Sequence, residues 1–151
     1  MTNGAAPHPL ITGSLDLRRQ VSVSAGRANA FAGLLAIGEW WPHRARGDST
    51  VTLEPYVGGR FFQSWSSGAT LYGLVTAMQD DERLTVDGPL TLPTPTVGSI
   101  TFALADSPSG GTTVTVTHRA FGAFDDAAVR GCDAGWTGVT DALLAHLGAH
   151  R

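Results

Sequence analysis

Between residues 15 and 23 the apolar side chains fall on odd positions, Leu15, Leu17, Val21 and Val23, with Arg19 the exception. A period of two predicts a half-buried strand. Ser24 is placed to cap a following helix, in which Phe31, Leu34 and Leu35 recur at helical spacing up to Gly38. Trp40-Trp41-Pro42 ends that helix, because proline resists continuation and restricts the residue before it. Short strand patterns follow at 49–54, 60–66, 69–78 and 83–86, separated by turns at Gly58-Gly59, Ser67-Gly68 and the acidic Gln79-Asp80-Asp81-Glu82. Pro89, Pro93 and Pro95 make the next stretch a loop rather than a central strand. Residues 97–104 alternate again, with Ile100, Phe102 and Leu104 on one face. A hairpin loop at 107–111 leads to a last strand, 112–118, which carries Val114, Val116 and His118 on one face.

The chain then changes period. Val129, Cys132, Trp136, Val139, Leu143 and Leu147 step by three and four, one stripe of a helix over 127–148 with Asp125 or Asp126 as its N-cap. One strand, a short helix region, about six strands in succession and a long C-terminal helix predict an α+β domain: an antiparallel sheet with helices on one face.

Length and composition narrow the function classes. A chain of 151 residues suits one domain and can bury roughly 68% of its surface, enough for a core without disulfide or metal staples. Residues 1–13 read as a flexible arm and 14–151 as the domain. The net charge is −3 and all ten basic residues are arginines scattered along the chain, which excludes a nucleic-acid binder with a basic face. A single cysteine, Cys132, excludes a disulfide scaffold. No run of some eighteen uncharged apolar residues spans a membrane, and the N-terminus lacks the build of a secretory signal, so the expected location is the cytoplasm.

Six words occur in order: Trp40-Trp41-Pro42, Gly58-Gly59-Arg60-Phe61, Gly73-Leu74-Val75, Glu82-Arg83-Leu84, the strand from Gly111 to His118, and Gly135-Trp136 ahead of Leu143. With these the chain resembles the family named after activators of the heat-shock-protein-90 ATPase, in the START-like (SRPBCC) superfamily, over residues 14–148. The resemblance implies a helix-grip fold, a curved antiparallel sheet of six or seven strands around the C-terminal helix. It also implies an apolar cavity between sheet and helix for lipids, aromatic polyketides or other hydrophobic molecules. The sequence departs from the family where Val86-Asp87-Gly88-Pro89 breaks a strand that is often longer and aromatic-rich.

The candidate ligand-binding residues are Trp41, Phe61, Gln63, Trp65, Phe102, His118, Cys132 and Trp136. Trp65 shares strand parity with Phe61 and Gln63, and Gln63 would supply a polar contact. His118, at a strand end, would orient a ligand; in a rival reading it is the general acid or base of a cyclase or hydratase. An aspartate, Asp125 or Asp126, reaching back to His118 would favour that rival. Cys132 among apolar residues reads as packing. Adjacent tryptophans, Trp40 and Trp41, read either as a plug at the sheet's end or as an exposed patch for a chaperone-linked partner or a homodimer. His146 and His150, four apart, are the nearest approach to a metal pair; no metal or cofactor is expected. The leading expectation is a cofactor-free protein that binds a small hydrophobic or amphipathic molecule.

Overall fold

The computed structural model describes residues 11–148. Strand β1 (Gly13–Val23) is followed by helices α1 (Arg27–Leu35) and α2 (Ile37–Trp40). Six more strands come in succession: β2 (Thr50–Leu53), β3 (Arg60–Trp65), β4 (Gly68–Gln79), β5 (Arg83–Asp87), β6 (Thr96–Asp106) and β7 (Thr112–Gly122). Helix α3 (Asp126–Leu147) closes the chain. The seven strands form one antiparallel sheet in the order β1-β7-β6-β5-β4-β3-β2. The helices lie on one face. This is the α+β helix-grip arrangement that the order of patterns predicts.

Alternation fixes which face is inside. Val114, Val116, His118 and Ala120 of β7 are buried, as are Ile100, Phe102 and Leu104 of β6. Thr115, Thr117 and Arg119 take the other face. Because the side-chain period is two, a one-residue slip would expose the whole buried set. Trp136, Val139 and Leu143 of α3 meet the buried face in one core with Phe31, Leu34, Trp41 and Phe61. A second cluster, Leu15, Leu92, Ala120 and Phe124, seals the other end beneath Val129 and Cys132. At 22 residues α3 is about 33 Å long, enough to cross the sheet.

Three local expectations are corrected, and one choice left open is decided. Ser24 does not cap α1: Gly26 holds that position with no side-chain cap, while the Ser24 N–H donates to the Gly148 carbonyl at 2.9 Å and ties down the end of α3. The first helical region is broken at Ala36 (ψ 48°), so Trp40 ends a separate turn of helix. Strand β7 runs four residues past His118, which therefore sits in mid-strand, opposite Leu17 and Ile100. Trp40 and Trp41 are buried, so they present no exposed patch. The Trp40 indole donates to the Leu34 carbonyl and stacks on His146.

The proline-rich stretch after β5 is a wall rather than a plain connection. Its Leu90 and Leu92 turn inward and are buried, one in each core cluster. Leu90 adopts φ 56°, a left-handed conformation that a bulky residue rarely takes.

Candidate functional site

Helix α3 presents Gly131, Cys132, Gly135, Trp136 and Val139 to a cleft of about 240 Å³. These positions, spaced by one, three and four, share one side of the helix. Trp41 and His43 close the second side, and Leu90 and Thr91 close the third. Two glycines of α3, Gly131 at the exposed rim and the half-buried Gly135, line it. A Cβ placed on Gly131 would meet no atom within 4 Å, and one on Gly135 would meet only His43 Nε2, at 3.8 Å. Glycine in a helix interior costs about 1 kcal/mol relative to alanine. At Gly138 close packing explains the residue, since its Cβ would lie 3.3 Å from the His43 ring. Gly131 is exposed, and nothing packs against it.

Trp41 leaves α2 in extended geometry (ψ 120°) and enters the core. Its ring stands edge-on to Phe61, with centroids 5.2 Å apart, and to Trp136, at 6.2 Å. Phe102 packs on Trp136 from the sheet side. His43 is held over α3 by donating from Nε2 to the Gly135 carbonyl at 2.9 Å.

Behind Trp136 lies the buried polar pair of the core. The Trp136 indole Nε1–H donates to His118 Nδ1 at 2.8 Å. Burial pushes the His118 pKa down to about 4. Protonating Nδ1 would also set two N–H groups against each other, so the ring stays neutral near pH 7. No carboxylate orients it: Asp125 accepts from the Ala128 N–H as the N-cap of α3. Asp133 pairs with Arg19. Of the two aspartates that would favour the catalytic rival, Asp125 caps α3, and neither it nor Asp126 is bonded to His118, whose Nδ1 meets Trp136 and whose Nε2 has no partner.

Of the eight candidate residues, the structure places Trp41, Cys132 and Trp136 on the cleft. Phe61, Phe102 and His118 form the layer behind it. Gln63 is not free to contact a ligand. Its Oε1 accepts from the Ala45 N–H, and its Nε2 donates to the His43 carbonyl and the Tyr72 hydroxyl. It fastens residues 43–45 to the sheet instead. Trp65 stands apart at the tip of β3, half-exposed, with Arg46 5.7 Å above its ring. Cys132 is half-buried, and burial raises its thiol pKa.

Leu90, Thr91, His43, Gly131 and Gly135 were not candidates. A sequence signal existed only for the glycines, which recur at 131, 135 and 138 along one helix side. A larger open hollow, about 740 Å³, lies by the sheet's outer face around Asp16, Val97, Arg119 and Phe121. It is a shallow surface hollow that carries an exposed Arg119–Asp16 pair, so the smaller cleft between α3 and the aromatic wall is the better site. Among the described residues no group of three or more metal-ligating side chains occurs, and His150 lies outside them. No described helix is long and apolar enough to cross a membrane.

The family model described as "Activator of Hsp90 ATPase homolog 1-like protein" matches residues 30–148. No curated protein matches the sequence closely enough to count as a relative. Solved structures share the fold at low identity. A Rhizobium leguminosarum protein superposes with TM-score 0.70 at 18% identity, covering 91% of this chain and 96% of that one. The Aha1 dimer from Colwellia psychrerythraea gives 0.63 at 14%, covering 91% and 99%. The di-domain ARO/CYC StfQ, from the steffimycin biosynthetic pathway, gives 0.60 at 14%, covering 89% of this chain and 50% of that one.

Proposed function

Because this chain belongs to the Activator of Hsp90 ATPase homolog 1-like family, we propose that it binds a small hydrophobic molecule in the cleft beside α3. The observation that carries the reading is the cleft walled by Trp41, Leu90, Trp136 and Val139, which opens at Gly131. Leu90 supports it. A left-handed leucine costs about 1–3 kcal/mol, and such strain concentrates at ligand clamps and functional loops. At about 240 Å³ the cleft falls below the usual 300–1,000 Å³ of drug-sized pockets, so it takes one or two rings rather than a long acyl chain. The aromatic walls, Trp41 and Trp136, suit an aromatic ligand. Binding follows from burial of apolar surface between aromatic walls. A partner-binding role through Trp40 and Trp41 has no exposed surface to use.

The test is Gly131→Leu, which fills the cleft from the helix side. With 2-acetylnaphthalene as probe, read by tryptophan quenching, the wild type should half-saturate below about 1 mM. The variant should keep or raise its melting temperature, since glycine leaves the helix, and should lose binding at least about tenfold. Unchanged binding in a folded Gly131→Leu protein places the ligand elsewhere.

A further inference from the structure

A second space adjoins the cleft. A hollow of about 380 Å³ shares His43 and Thr91 with it, so the two meet where residues 42–45 face the loop after β5. The hollow adds Arg44, Gln63 and Tyr72 to the walls. Both amide hydrogens of Gln63 are engaged, one by the His43 carbonyl and one by the Tyr72 hydroxyl oxygen. Gln63 and Ala45, whose N–H it accepts, line the hollow, so the hydroxyl end of the Tyr72 ring stands at its wall. Tyr72 is 5% exposed. Its oxygen accepts from Gln63, its own hydrogen remains to be donated, and among the described residues no acceptor takes it. A donor that has left water without gaining an acceptor is destabilising until something supplies one. Arg44 adds charge. Its guanidinium donates to the Gly38 carbonyl at 2.7 Å and the Ser49 carbonyl at 3.1 Å. Arg19, Arg27, Arg60 and Arg119 each have a carboxylate partner, whereas among the described residues Arg44 has none. Among the described residues no Asp or Glu lines either space.

We propose that the cleft's ligand is a small aromatic acid: its rings lie between Trp41 and Trp136, and its carboxylate passes His43 and Thr91 into the hollow, where the Tyr72 O–H donates to it beside Arg44. This rests on the binding reading above and adds the ligand's head group. The arrangement keeps the carboxylate out of the apolar cleft, where burial without a partner is unfavourable. Burial raises the Tyr72 pKa above its ordinary 10, so the hydroxyl holds its proton near pH 7. Tyr72 and Arg44 are then specificity-determining residues, one by hydrogen bond and one by charge.

The test compares three probes of similar shape by tryptophan quenching: 2-naphthylacetate, the uncharged 2-naphthylacetamide, and 2-ethylnaphthalene, which has no oxygen. The wild type should bind the acetate about tenfold or more tighter than the hydrocarbon, and tighter than the amide. Raising salt from about 0.02 to 0.5 M should weaken the acetate relative to the amide. Arg44→Met should bring acetate and amide together. Tyr72→Phe should weaken both by about threefold or more and leave the hydrocarbon unchanged. In the wild type, the acetate but not the hydrocarbon should shift the resonance of the Tyr72 ring carbon that bears the hydroxyl. The salt dependence and that resonance, both read on the wild type, decide the matter even where a variant fails to fold. An acetate bound no tighter than the amide, a preference that salt does not change, or an unmoved Tyr72 resonance overturns the inference. If all three probes bind equally and Gly131→Leu abolishes all three, the binding reading stands and the head-group claim alone falls. If none binds the wild type, both fall.

Discussion

A neutral histidine sealed in the core makes the fold sensitive to acid, and the size of the effect can be worked out. The His118 pKa falls from its ordinary 6.5 to about 4 on folding, because burial disfavours the charged ring. The folded value lies below the unfolded one, so the unfolded chain binds the extra proton first. The stabilisation is complete above pH 6.5 and is lost as pH falls toward 4. At about 1.4 kcal/mol per pKa unit, the full loss is about 3 kcal/mol, of which about 2 kcal/mol is gone by pH 5. Total stabilities of domains run to about 5–15 kcal/mol, so this is a large share. The assay is urea unfolding of the wild type and of His118→Leu at intervals from pH 7.5 to pH 5. Carboxylates and exposed histidines contribute alike to both proteins and cancel in the difference. The wild type should lose about 2 kcal/mol more than the variant across that range. Parallel pH profiles would refute the reasoning, because they would mean that His118 charges freely in the folded protein.

Three further outcomes follow from the same contacts. Trp136→Ala should destabilise by about 3–5 kcal/mol in urea unfolding, since it removes a buried indole and the partner of His118 together. Iodoacetamide should label Cys132 more slowly than a free thiol at pH 7.5, because burial raises its pKa and reduces the thiolate; bound 2-acetylnaphthalene should slow labelling further. Gln63→Ala should cost about 1–3 kcal/mol, as it leaves the Ala45 N–H and the His43 carbonyl without their partner.

The sheet and the long helix were legible because their periods are clean. β7 alternates buried and half-buried positions from Thr112 to His118, and the stripe Trp136-Val139-Leu143 repeats at helical spacing. The Thr/Val pattern ends at His118, four residues before β7 does, because Arg119, Ala120 and Phe121 continue the strand without it. The resemblance reached the correct fold and the correct side of the sheet, but not the cleft itself. Trp41 and Trp136 announce themselves as large aromatics. Leu90 does not, because its inward turn depends on a left-handed backbone that leucine gives no reason to expect. Gln63 looked like a ligand contact by parity; its amide is satisfied by main chain some 20 residues earlier, a pairing no local pattern reveals. Trp65 has the correct parity but stands too near the strand tip to reach the core.

The central claim is that the space beside Gly131 receives a small apolar molecule. Its most direct test is the set of four tryptophan indole N–H resonances, followed while 2-acetylnaphthalene is added to the wild type. Trp136, whose ring walls the cleft, should shift and saturate, and Trp41 should follow. Trp65, at the strand tip beside Arg46, should stay in place. Saturating shifts at Trp65 with Trp136 unmoved, or no shift at any indole, would contradict the account.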